Sequence, residues 1–445
     1  MNDSPVRVGL LGCGTVGSAL ISLLQRQHDA IAARTGLDIA VTRVAVRDLS
    51  RPRDPGLPAE AFTDDPAAVV ADPDIDLVVE VMGGIEPAGA LVQAALAAGR
   101  PVITANKALL AEHGAELFAL ADRAGVDLLF EAAVAGGIPF IRPLRESLLG
   151  EPVRRVMGIM NGTTNYILTR MTEAGADYAE ALAEAQALGF AEADPTADVG
   201  GFDAGAKIAI VASIAFGCEI TASMVDVEGI TAISADDIAF ASRSGHVIKL
   251  LAVAERVETS SGPQVSAAVH PVLVPVHHPL ASVRESFNAV FVEGDAVGEL
   301  MFYGRGAGGD PTASAVLGDL IDAAVNLRRG AHASIGALAP ARLRPAADAA
   351  SAQYLSLVAV DRPGVLAAIA SVLGDNGISI ASMSQSGPDS ELGGGLAEDE
   401  ARIDLITHRT GRRQLDATLA ALRSLDAVRR VGSVVRVLSD EDDDV

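Results

Sequence analysis

Four carboxylates and a lysine lie close together in the stretch AEADPTADVGGFDAGAK, residues 191–207. Its turn residues are typical of a loop that leads to a helix N-terminus, and the apolar run after Lys207 predicts a buried helix. On such a helix, Asp203 and Lys207 lie one turn apart on the same face. The continuation of that face is apolar and consists of Val211, Ile214 and Cys218. Lys207 therefore falls on the face that packs inward, where an unpaired charge is unfavourable.

A buried lysine beside carboxylates has two interpretations, an acid with a tuned pKa or a purely structural ion pair. The local sequence does not separate them. The wider sequence favours catalysis, because the pair follows a predicted dinucleotide-binding domain and the chain has no other obvious catalytic set. A histidine metal site is disfavoured, since no matching ligand spacing surrounds His270, His277 and His278.

The segment GCGTVG places Gly12, Gly14 and Gly17 between a predicted strand and a predicted helix. In a dinucleotide-binding loop the first glycine permits a tight turn, the second admits the pyrophosphate and the third lets the helix pack on the strand. The helix N-terminus then faces the phosphates. A merely structural turn is the alternative, but the position after the first strand of a strand–helix series favours cofactor binding.

Arg47 follows the second predicted strand, in VRDLSRPR, with Arg51 and Arg53 beyond it. An acidic residue that binds the ribose of NAD is expected at this strand end, whereas arginine suits the 2′-phosphate of NADP. The segment therefore favours NADP over NAD. A solvated charged loop is the alternative interpretation.

Two further charged residues follow predicted strands of the same sheet. Lys107 ends ITANK, and a lysine at the carboxyl end of a parallel strand can reach cofactor or substrate; a surface lysine at a helix start explains the local sequence equally well. Glu131, in FEAAVAGGIPF, could hold a hard cation together with carbonyls of the glycine loop. A structural glutamate is the commoner role at such a position.

The elements that must position these residues indicate an α/β protein. Strands alternate with helices through the first third of the chain, which predicts a Rossmann-type parallel sheet. An α+β domain follows, whose last helix, TASAVLGDLIDAAVNL, could pack back on the first domain, and a ferredoxin-like βαββαβ pattern ends the chain. The predicted bounds are 1–140 for the dinucleotide-binding domain, 141–330 for the second domain, 331–351 for a linker, 352–438 for the C-terminal domain and 439–445 for an acidic tail.

Composition disfavours several classes of partner. The 445-residue chain has a formal net charge of −24, which argues against nucleic acid or an anionic membrane. Cys13 and Cys218 show no CxxC pairing and imply no disulfide framework. The first residues have no signal-peptide layout, and the longest apolar stretch, 208–225, contains Glu219, so a buried helix is expected there rather than a membrane span. We expect a cytoplasmic enzyme.

Several segments resemble the homoserine dehydrogenase family. The signature-like region runs from Ala185 to Lys207, and the other similar segments are ITANKALLA, GIMNGTTNYIL and GAGGDPTASAV. The resemblance extends over residues 5 to about 330. The C-terminal segments DRPGVL and DNGISI resemble an ACT domain, a ferredoxin-like module that commonly binds amino acids. The chain is thus similar to the ACT-bearing homoserine dehydrogenases of bacteria.

The resemblance implies an activity and partners. The enzyme would interconvert L-aspartate 4-semialdehyde and L-homoserine with NADP, or alternatively NAD, on the route to threonine, methionine and isoleucine. A sodium ion, a homodimer or homotetramer built on a catalytic and dimerisation domain, and threonine as effector at the ACT domain are also implied. Two rival functions stay open: another NADP-linked oxidoreductase of an amino-acid-like aldehyde, and a non-catalytic amino-acid sensor.

The resemblance also implies roles for individual residues. Lys207 matches the family's proton donor, with Asp203 and Lys107 beside it in the catalytic set. The substrate would be bound by Glu192, Asp198, Asp203 and Thr163. The cofactor would be bound by Gly12, Gly14, Thr15, Val16, Gly17, Arg47, Thr104, Lys107 and Gly308. The sodium ion would be held by Glu131 and the carbonyls of Val134, Gly136 and Ile138.

Overall fold

The N-terminal domain is a parallel sheet with helices on both faces. The computed structural model describes residues 5–51, 56–345, 348–390 and 395–438. The sheet order is β3-β2-β1-β4-β5-β6, so the chain leaves β1 in one direction and returns to its other side at β4. Ligands bind at the carboxyl ends of strands beside such a reversal. The elements are β1 (Val6–Leu11), α1 (Thr15–Thr35), β2 (Ile39–Ala45), β3 (Phe62–Thr63), α2 (Pro66–Ala71), β4 (Leu77–Glu80), α3 (Ala88–Ala97), β5 (Val102–Thr104), α4 (Lys107–Ala124) and β6 (Leu128–Leu129).

The second domain is an antiparallel sheet with helices packed on one face, as the α+β prediction requires. Its strand order is β13-β12-β7-β10-β11, and α5 and α8 pack against β10. The elements are β7 (Val153–Ile159), α5 (Gly162–Ala174), α6 (Tyr178–Ala187), α7 (Thr196–Val199), α8 (Phe202–Phe216), β8 (Cys218–Glu219), β9 (Asp226–Val227), α9 (Ala235–Arg243), β10 (His246–Val257), β11 (Gln264–Pro275), β12 (Phe287–Gly294), β13 (Gly298–Arg305) and α10 (Gly309–Arg329).

Helix α8 is the buried helix predicted from the run after Lys207. It begins after Gly201, whose φ is 84°, and ends at Gly217, whose φ is 63°; both values favour glycine. Because the helix ends there, Cys218 lies in β8 and not on the helical face to which the sequence pattern assigned it. Among the described residues, no helix combines the length and apolarity needed to cross a membrane.

Helix α10 returns to the first domain and packs along α1. Its inward side chains share one core with those of α1 and of the parallel sheet. Contributions from α10 are Ala313, Val316 and Leu320, and contributions from α1 are Leu20, Ile21 and Leu24. The N-terminal domain is therefore completed by a segment from the end of the second domain.

The C-terminal domain has the predicted ferredoxin-like order. Its elements, after β14 (Ala339–Pro340), are β15 (Ala350–Val360), α11 (Val365–Asp375), β16 (Ile380–Ser386), β17 (Glu400–Thr407), β18 (Thr410–Gly411), α12 (Arg412–Arg423) and β19 (Val428–Val437). The sheet order is β19-β15-β17-β16. Strand β19 also pairs with β11 of the second domain, so the two sheets are continuous.

The segment 331–351, expected to be a linker, is bound to both the first and the second domain. Strand β14 pairs with β8, and Leu343 forms a bridge with Val265. The backbone N–H of Ala333 donates to Asp127 at 2.6 Å. Because β15 already begins at Ala350, the segment acts as a strap and not as a flexible spacer. The predicted acidic tail, 439–445, lies outside the described residues.

A buried polar cluster joins the C-terminal domain to α9. Arg402 is 5 % exposed and donates to Asp236 at 2.6 Å and to Asp237 at 3.1 Å. The Tyr354 hydroxyl oxygen lies 2.9 Å from carboxylate oxygens of both Asp237 and Asp404. Burial, followed by the nearby carboxylates, raises the pKa of Tyr354, so the phenol stays protonated and can donate. These contacts dock the C-terminal domain on the second domain.

Candidate active site

The ammonium group of Lys207 is held by two acceptors. Nζ lies 2.7 Å from Oδ2 of Asp203, one turn earlier on α8, and 2.6 Å from the carbonyl oxygen of Met160. The residue is 8 % exposed, and the two acceptors make burial of its charge tolerable. An ammonium carries three N–H donors, and the described residues occupy two of them. The third is available to a ligand.

Asp203 joins two lysines. Its Oδ1 lies 2.5 Å from Nζ of Lys107, while its Oδ2 accepts from Lys207. Burial by itself raises the pKa of this carboxyl group, but attraction to both ammonium groups outweighs burial and holds the pKa below its usual range. Asp203 is therefore ionised at neutral pH.

Lys107 reaches this pair from the first domain. It is the first residue of α4, directly after the N-cap Asn106, whose side chain accepts from the N–H of Leu109 at 3.1 Å. The Lys107 side chain is 43 % exposed, compared with 7 % for Asp203. The three charged groups thus span the junction of the two domains, with Lys107 on the open side.

Asn161 connects two carboxylates. It lies between the end of β7 and the start of α5, where its Oδ1 caps the helix by accepting the N–H of Thr164 at 2.9 Å. Its Nδ2 donates to Asp198 at 2.7 Å and to Asp203 at 2.9 Å. Asp198, on the short helix α7, is thereby linked through Asn161 to the Asp203–Lys207 pair on α8.

Thr163 and Asp198 contact each other, whereas Glu192 stands apart. The Thr163 hydroxyl lies 2.6 Å from the carbonyl oxygen of Phe190 and 3.2 Å from Asp198. Glu192 is two residues beyond Phe190 and is exposed. Its carboxylate has no hydrogen-bond or ion-pair partner among the residues that the structure describes. Of the predicted catalytic and substrate residues, Glu192 is thus the one that the cluster does not include.

The glycine loop after β1 has the shape that its three glycines predict. Gly12 has a φ of 103°, and a Cβ there would lie 2.8 Å from the carbonyl oxygen of Val81. A Cβ on Gly17 would lie 2.3 Å from the carbonyl oxygen of Gly12, so helix and loop pack too closely for a side chain. At Gly14 a Cβ would meet no described atom within 4 Å. This open position, at the start of α1, suits an approaching pyrophosphate.

A second helix start lies beside this loop. Helix α10 begins after Gly308, whose φ is 121°, and a Cβ on Gly309 would lie 3.1 Å from Cγ2 of Thr15 in the first turn of α1. Val16, the next residue of α1, packs against the core shared by both helices. Two helix N-termini therefore converge where the phosphates of a dinucleotide are expected.

Glu80, which the sequence reasoning missed, orders the edge of the sheet between β4 and β5. It is fully buried and accepts hydrogen bonds from the N–H groups of Met82 and Gly83 at 2.8 and 3.1 Å. The Thr104 hydroxyl donates to it at 2.6 Å. Thr104 is itself fully buried, so its side chain supports the loop from beneath. The only sequence signal for Glu80 is its place at the end of an apolar strand.

Arg47 is exposed just beyond the end of β2. The loop after β1 lies beside it, because the N–H of Gly12 donates to the carbonyl oxygen of Ala45 at 3.0 Å. This is the side of the sheet at which the adenosine ribose of a bound dinucleotide is expected. Arg53 lies outside the described residues.

Glu131 supports the start of a helical segment. Its carboxylate accepts the backbone N–H groups of Phe140, Ile141 and Arg142 at 2.5, 2.7 and 2.8 Å. Its own N–H donates to Asp319 of α10, and burial raises the pKa of that aspartate to about 7. Both carboxylate oxygens of Glu131 are thus already used by the protein.

The loop between Glu131 and this helical segment offers backbone oxygens. Among the described residues, no backbone N–H donates to the carbonyls of Val134, Gly136 or Ile138. A Cβ on Gly136 would lie 2.3 Å from the carbonyl oxygen of Gly306, so the loop packs directly on the segment before α10. Unused carbonyl oxygens fit a hard monovalent cation.

Models of protein families match most of the chain. The model described as homoserine dehydrogenase, NAD binding domain, matches residues 12–131, and the homoserine dehydrogenase model matches residues 139–321. The ACT domain model matches residues 353–427. A homoserine dehydrogenase of Corynebacterium glutamicum is 49% identical over 98% of this chain and 96% of its own length.

This chain belongs to the homoserine dehydrogenase family. It is an oxidoreductase with a nicotinamide-dinucleotide-binding domain, a catalytic domain and an ACT domain. The homoserine dehydrogenase of Mycobacterium tuberculosis is also 49% identical, over 98% of each chain.

Solved structures of the family agree with the fold. A homoserine dehydrogenase from Thiobacillus denitrificans has a TM-score of 0.90 at 42% identity, covering 98% of this chain and 99% of that one. A hyperthermophilic archaeal homoserine dehydrogenase in complex with NADPH has a TM-score of 0.61 at 28% identity, covering 73% of this chain and 98% of that one.

Proposed function

We propose that the enzyme interconverts L-aspartate 4-semialdehyde and L-homoserine with NADP, on the route to threonine, methionine and isoleucine. The observation that carries the proposal is the Asp203 carboxylate between the ammonium groups of Lys107 and Lys207. An aldehyde oxygen gains negative charge during reduction, and a preorganised ammonium group stabilises that charge.

Lys207 is the proton donor of the reduction. A nicotinamide cofactor held at the loop of Gly12, Gly14 and Gly17 would supply the hydride that the carbonyl carbon requires, which leaves the negative charge on the oxygen. The N–H of Lys207 that Asp203 and Met160 leave unused protonates that oxygen, which completes the alcohol. In the oxidation direction the neutral amine accepts the hydroxyl proton. Asp203 keeps the amine oriented in both directions.

Carboxylates bind the amino-acid end of the substrate. The α-ammonium group of homoserine suits the exposed carboxylate of Glu192, with Asp198 and Asp203 deeper in the site. Thr163 contributes its hydroxyl, which already lies against Asp198. This arrangement selects an amino-acid-like aldehyde over a plain one.

NADP is the preferred cofactor, with NAD as the weaker alternative. An exposed guanidinium group at position 47, beyond the end of β2, supports binding of a 2′-phosphate. Gly14, Thr15, Val16 and Gly308 lie at the two helix starts that favour the pyrophosphate.

A sodium ion is held by main-chain oxygens of the loop after Glu131. Support comes from the carbonyls of Val134, Gly136 and Ile138, which receive no backbone N–H in the described part of the chain. The Glu131 carboxylate accepts three N–H groups, which fix the loop, and the acceptor capacity left on its Oε2 supports the side chain as a further ligand of the ion. The ion would stiffen the loop that packs on the segment before α10.

The ACT domain binds threonine as an effector. The enzyme works in the cytoplasm, and it assembles as a homodimer or homotetramer. Helix α11 begins after Gly364, whose φ is 91°, and the free N–H groups of its first turn suit a carboxylate. The two cysteines, both buried and free, suit a reducing compartment. A non-catalytic sensor is disfavoured because the Lys107–Asp203–Lys207 cluster is intact.

Homoserine-dependent reduction of NADP⁺ and NAD⁺, with and without threonine, tests the proposal. We expect turnover with homoserine, a higher kcat/KM for NADP⁺ and inhibition by threonine. Absence of turnover with homoserine would refute the substrate, whereas equal use of both cofactors would refute only the role of Arg47. Insensitivity to threonine would refute the regulatory part alone.

A further inference from the structure

We infer that Asn161 is a positioning residue for the reaction: its side-chain amide fixes Asp203, and through it the ammonium group of Lys207, while tying Asp198 into the same frame. This inference rests on the proposed role of Lys207. Asn161 itself is placed to touch the two carboxylates and not the reacting atoms.

The orientation of the amide follows from its surroundings. Asn161 is 5 % exposed, and its Oδ1 lies 2.9 Å from the N–H of Thr164 and 3.0 Å from the Thr164 hydroxyl. A backbone N–H can only donate, so the acceptor end of the amide must face α5. The NH₂ group must then face Asp198 and Asp203, and each of its two N–H bonds is matched by one carboxylate.

The neutral amide of Asn161 reduces the repulsion between the carboxylates of Asp198 and Asp203. Asp198 and Asp203 both approach one nitrogen atom, within 2.7 and 2.9 Å. Without a donor between them, the two carboxylates would repel each other, and the oxygens of Asp203 would be aligned less well on its two lysine partners. With the donor, Asp203 keeps one oxygen aligned on Lys207 and the other on Lys107.

Asn161 and its neighbour Met160 also act on Lys207 as one rigid unit. The Met160 carbonyl oxygen accepts directly from Nζ of Lys207, and the Asn161 side chain holds the second acceptor, Asp203. Both groups belong to the turn that joins β7 to α5. A displacement of about 1 Å in such a support can lower a rate about 10²-fold, so the turn sets the direction of the remaining N–H of Lys207.

Two substitutions separate positioning from helix capping. Asn161→Ser keeps an oxygen that can cap α5 but removes the bridging NH₂ group. Asn161→Asp keeps the size and the cap but places a third carboxylate against Asp198 and Asp203. A matched control is Asp177→Ser, which exchanges the N-cap of α6, an exposed cap away from the lysines.

We expect kcat to fall about 10²-fold in Asn161→Ser and further in Asn161→Asp. The NADPH binding and the thermal midpoint of Asn161→Ser should stay close to those of Asp177→Ser. The acid limb of the kcat profile should move to higher pH in Asn161→Ser, because the Asp203 carboxylate loses a donor that favours its ionised form.

If Lys207→Ala is inactive, as the proposed function requires, either of two results would overturn the inference about Asn161. One is a kcat for Asn161→Ser within about twofold of wild type with an unchanged pH profile. The other is a loss of kcat that only parallels losses of NADPH binding and thermal stability in both variants, which marks a structural role. Near-normal turnover of Lys207→Ala would instead refute the proposed proton donor.

Discussion

At the scale of single residues, the site is organised by charge compensation. Lys207 is buried on an apolar helix face, and this is tolerated because Asp203 and the Met160 carbonyl receive its hydrogen bonds. Asp203 in turn stays ionised because it faces two ammonium groups. The same contacts that make burial of Lys207 tolerable would also hold the proposed proton donor in one direction, so the structural and catalytic interpretations of the pair are compatible.

Lys207→Ala should lower kcat by about 10²-fold or more, because the general acid is removed, while Asp203 keeps Lys107 as its partner. Steady-state kinetics and circular dichroism measure the two effects. Lys249→Met is the matched control, since Lys249 is also a buried lysine but donates to Asn165 and Val283. That variant should keep its kcat. Comparable turnover of Lys207→Ala and wild type would assign Lys207 a structural role.

At the scale of elements, helix starts and strand ends bring the chemistry together. The starts of α1 and α10 adjoin at the cofactor loop, and the starts of α4 and α5 carry Lys107 and Asn161. Each of these helices follows a strand, α1 and α4 in the first sheet and α5 and α10 in the second, so its first backbone N–H groups lie at the carboxyl end of that strand. The turns between strands and helices therefore supply the hydrogen-bond donors of the site, and the strand spacing of the sheets sets the distances between those turns.

The two glycines of the loop should respond differently to a methyl group. Gly14→Ala should retain a stability within about 1 kcal/mol of wild type, because its Cβ meets no described atom within 4 Å, yet raise the Kd for NADPH about tenfold by obstructing the pyrophosphate. Gly17→Ala should lose about 1–3 kcal/mol of stability, because its Cβ would lie 2.3 Å from a carbonyl oxygen. Urea titration and NADPH fluorescence measure these effects. The opposite ranking would contradict the assignment of the open position.

The lowered pKa of the buried Lys249 predicts that the free energy of unfolding depends on pH. Burial lowers its pKa to about 8, whereas an unfolded lysine has a pKa of about 10.4. Between these values the unfolded chain binds more protons, so the contribution of Lys249 to the free energy of unfolding rises as the pH increases from about 8 to about 10.4. Lys249→Met should lack this rise. Urea titrations of both proteins across this range measure it, and parallel profiles would contradict the prediction.

At the scale of the whole molecule, the ACT domain is built into the enzyme. Strand β19 extends the catalytic sheet at β11, the strap 331–351 is bound to both the first and the second domain, and Arg402 pairs with α9. Helix α9 packs on α5, whose N-cap is Asn161 and whose first turn carries Thr163. Removal of the chain after Ala350 is therefore expected to lower stability as well as sensitivity to threonine, in contrast to the effect expected if 331–351 were a flexible linker.

The buried cluster at the ACT junction should be sensitive to loss of its cation. Arg402→Met leaves Asp237 and Asp404 buried without their guanidinium partner, so the free energy of unfolding should fall by about 3–5 kcal/mol. Arg412→Met is the control, because Arg412 forms an exposed pair with Asp416, worth about 0.5 kcal/mol. Urea titration compares the two variants. Equal losses would show that the cluster does not anchor the domain.

The sequence by itself determined the local structure and the chemical class. Glycine spacing predicted the cofactor loop, the spacing of Asp203 and Lys207 predicted a pair on one helical face, and alternating patterns predicted three domains of known type. These features depend on residues near one another along the chain, where backbone preference and side-chain period decide the outcome.

Only the tertiary structure decided which distant groups meet. Lys107 and Asp203 come from different domains, and nothing in ITANK specifies a carboxylate 96 positions later as its partner. Asn161, Met160 and Glu80 gained their roles in the same way, since a cap, a carbonyl and a strand-end acid become functional only through what packs against them. The strap and the ACT junction were likewise invisible in composition, because the backbone pairing of β14 and β19 leaves no period in the sequence. Contacts of this kind arise from the packing of whole elements, which no local pattern encodes.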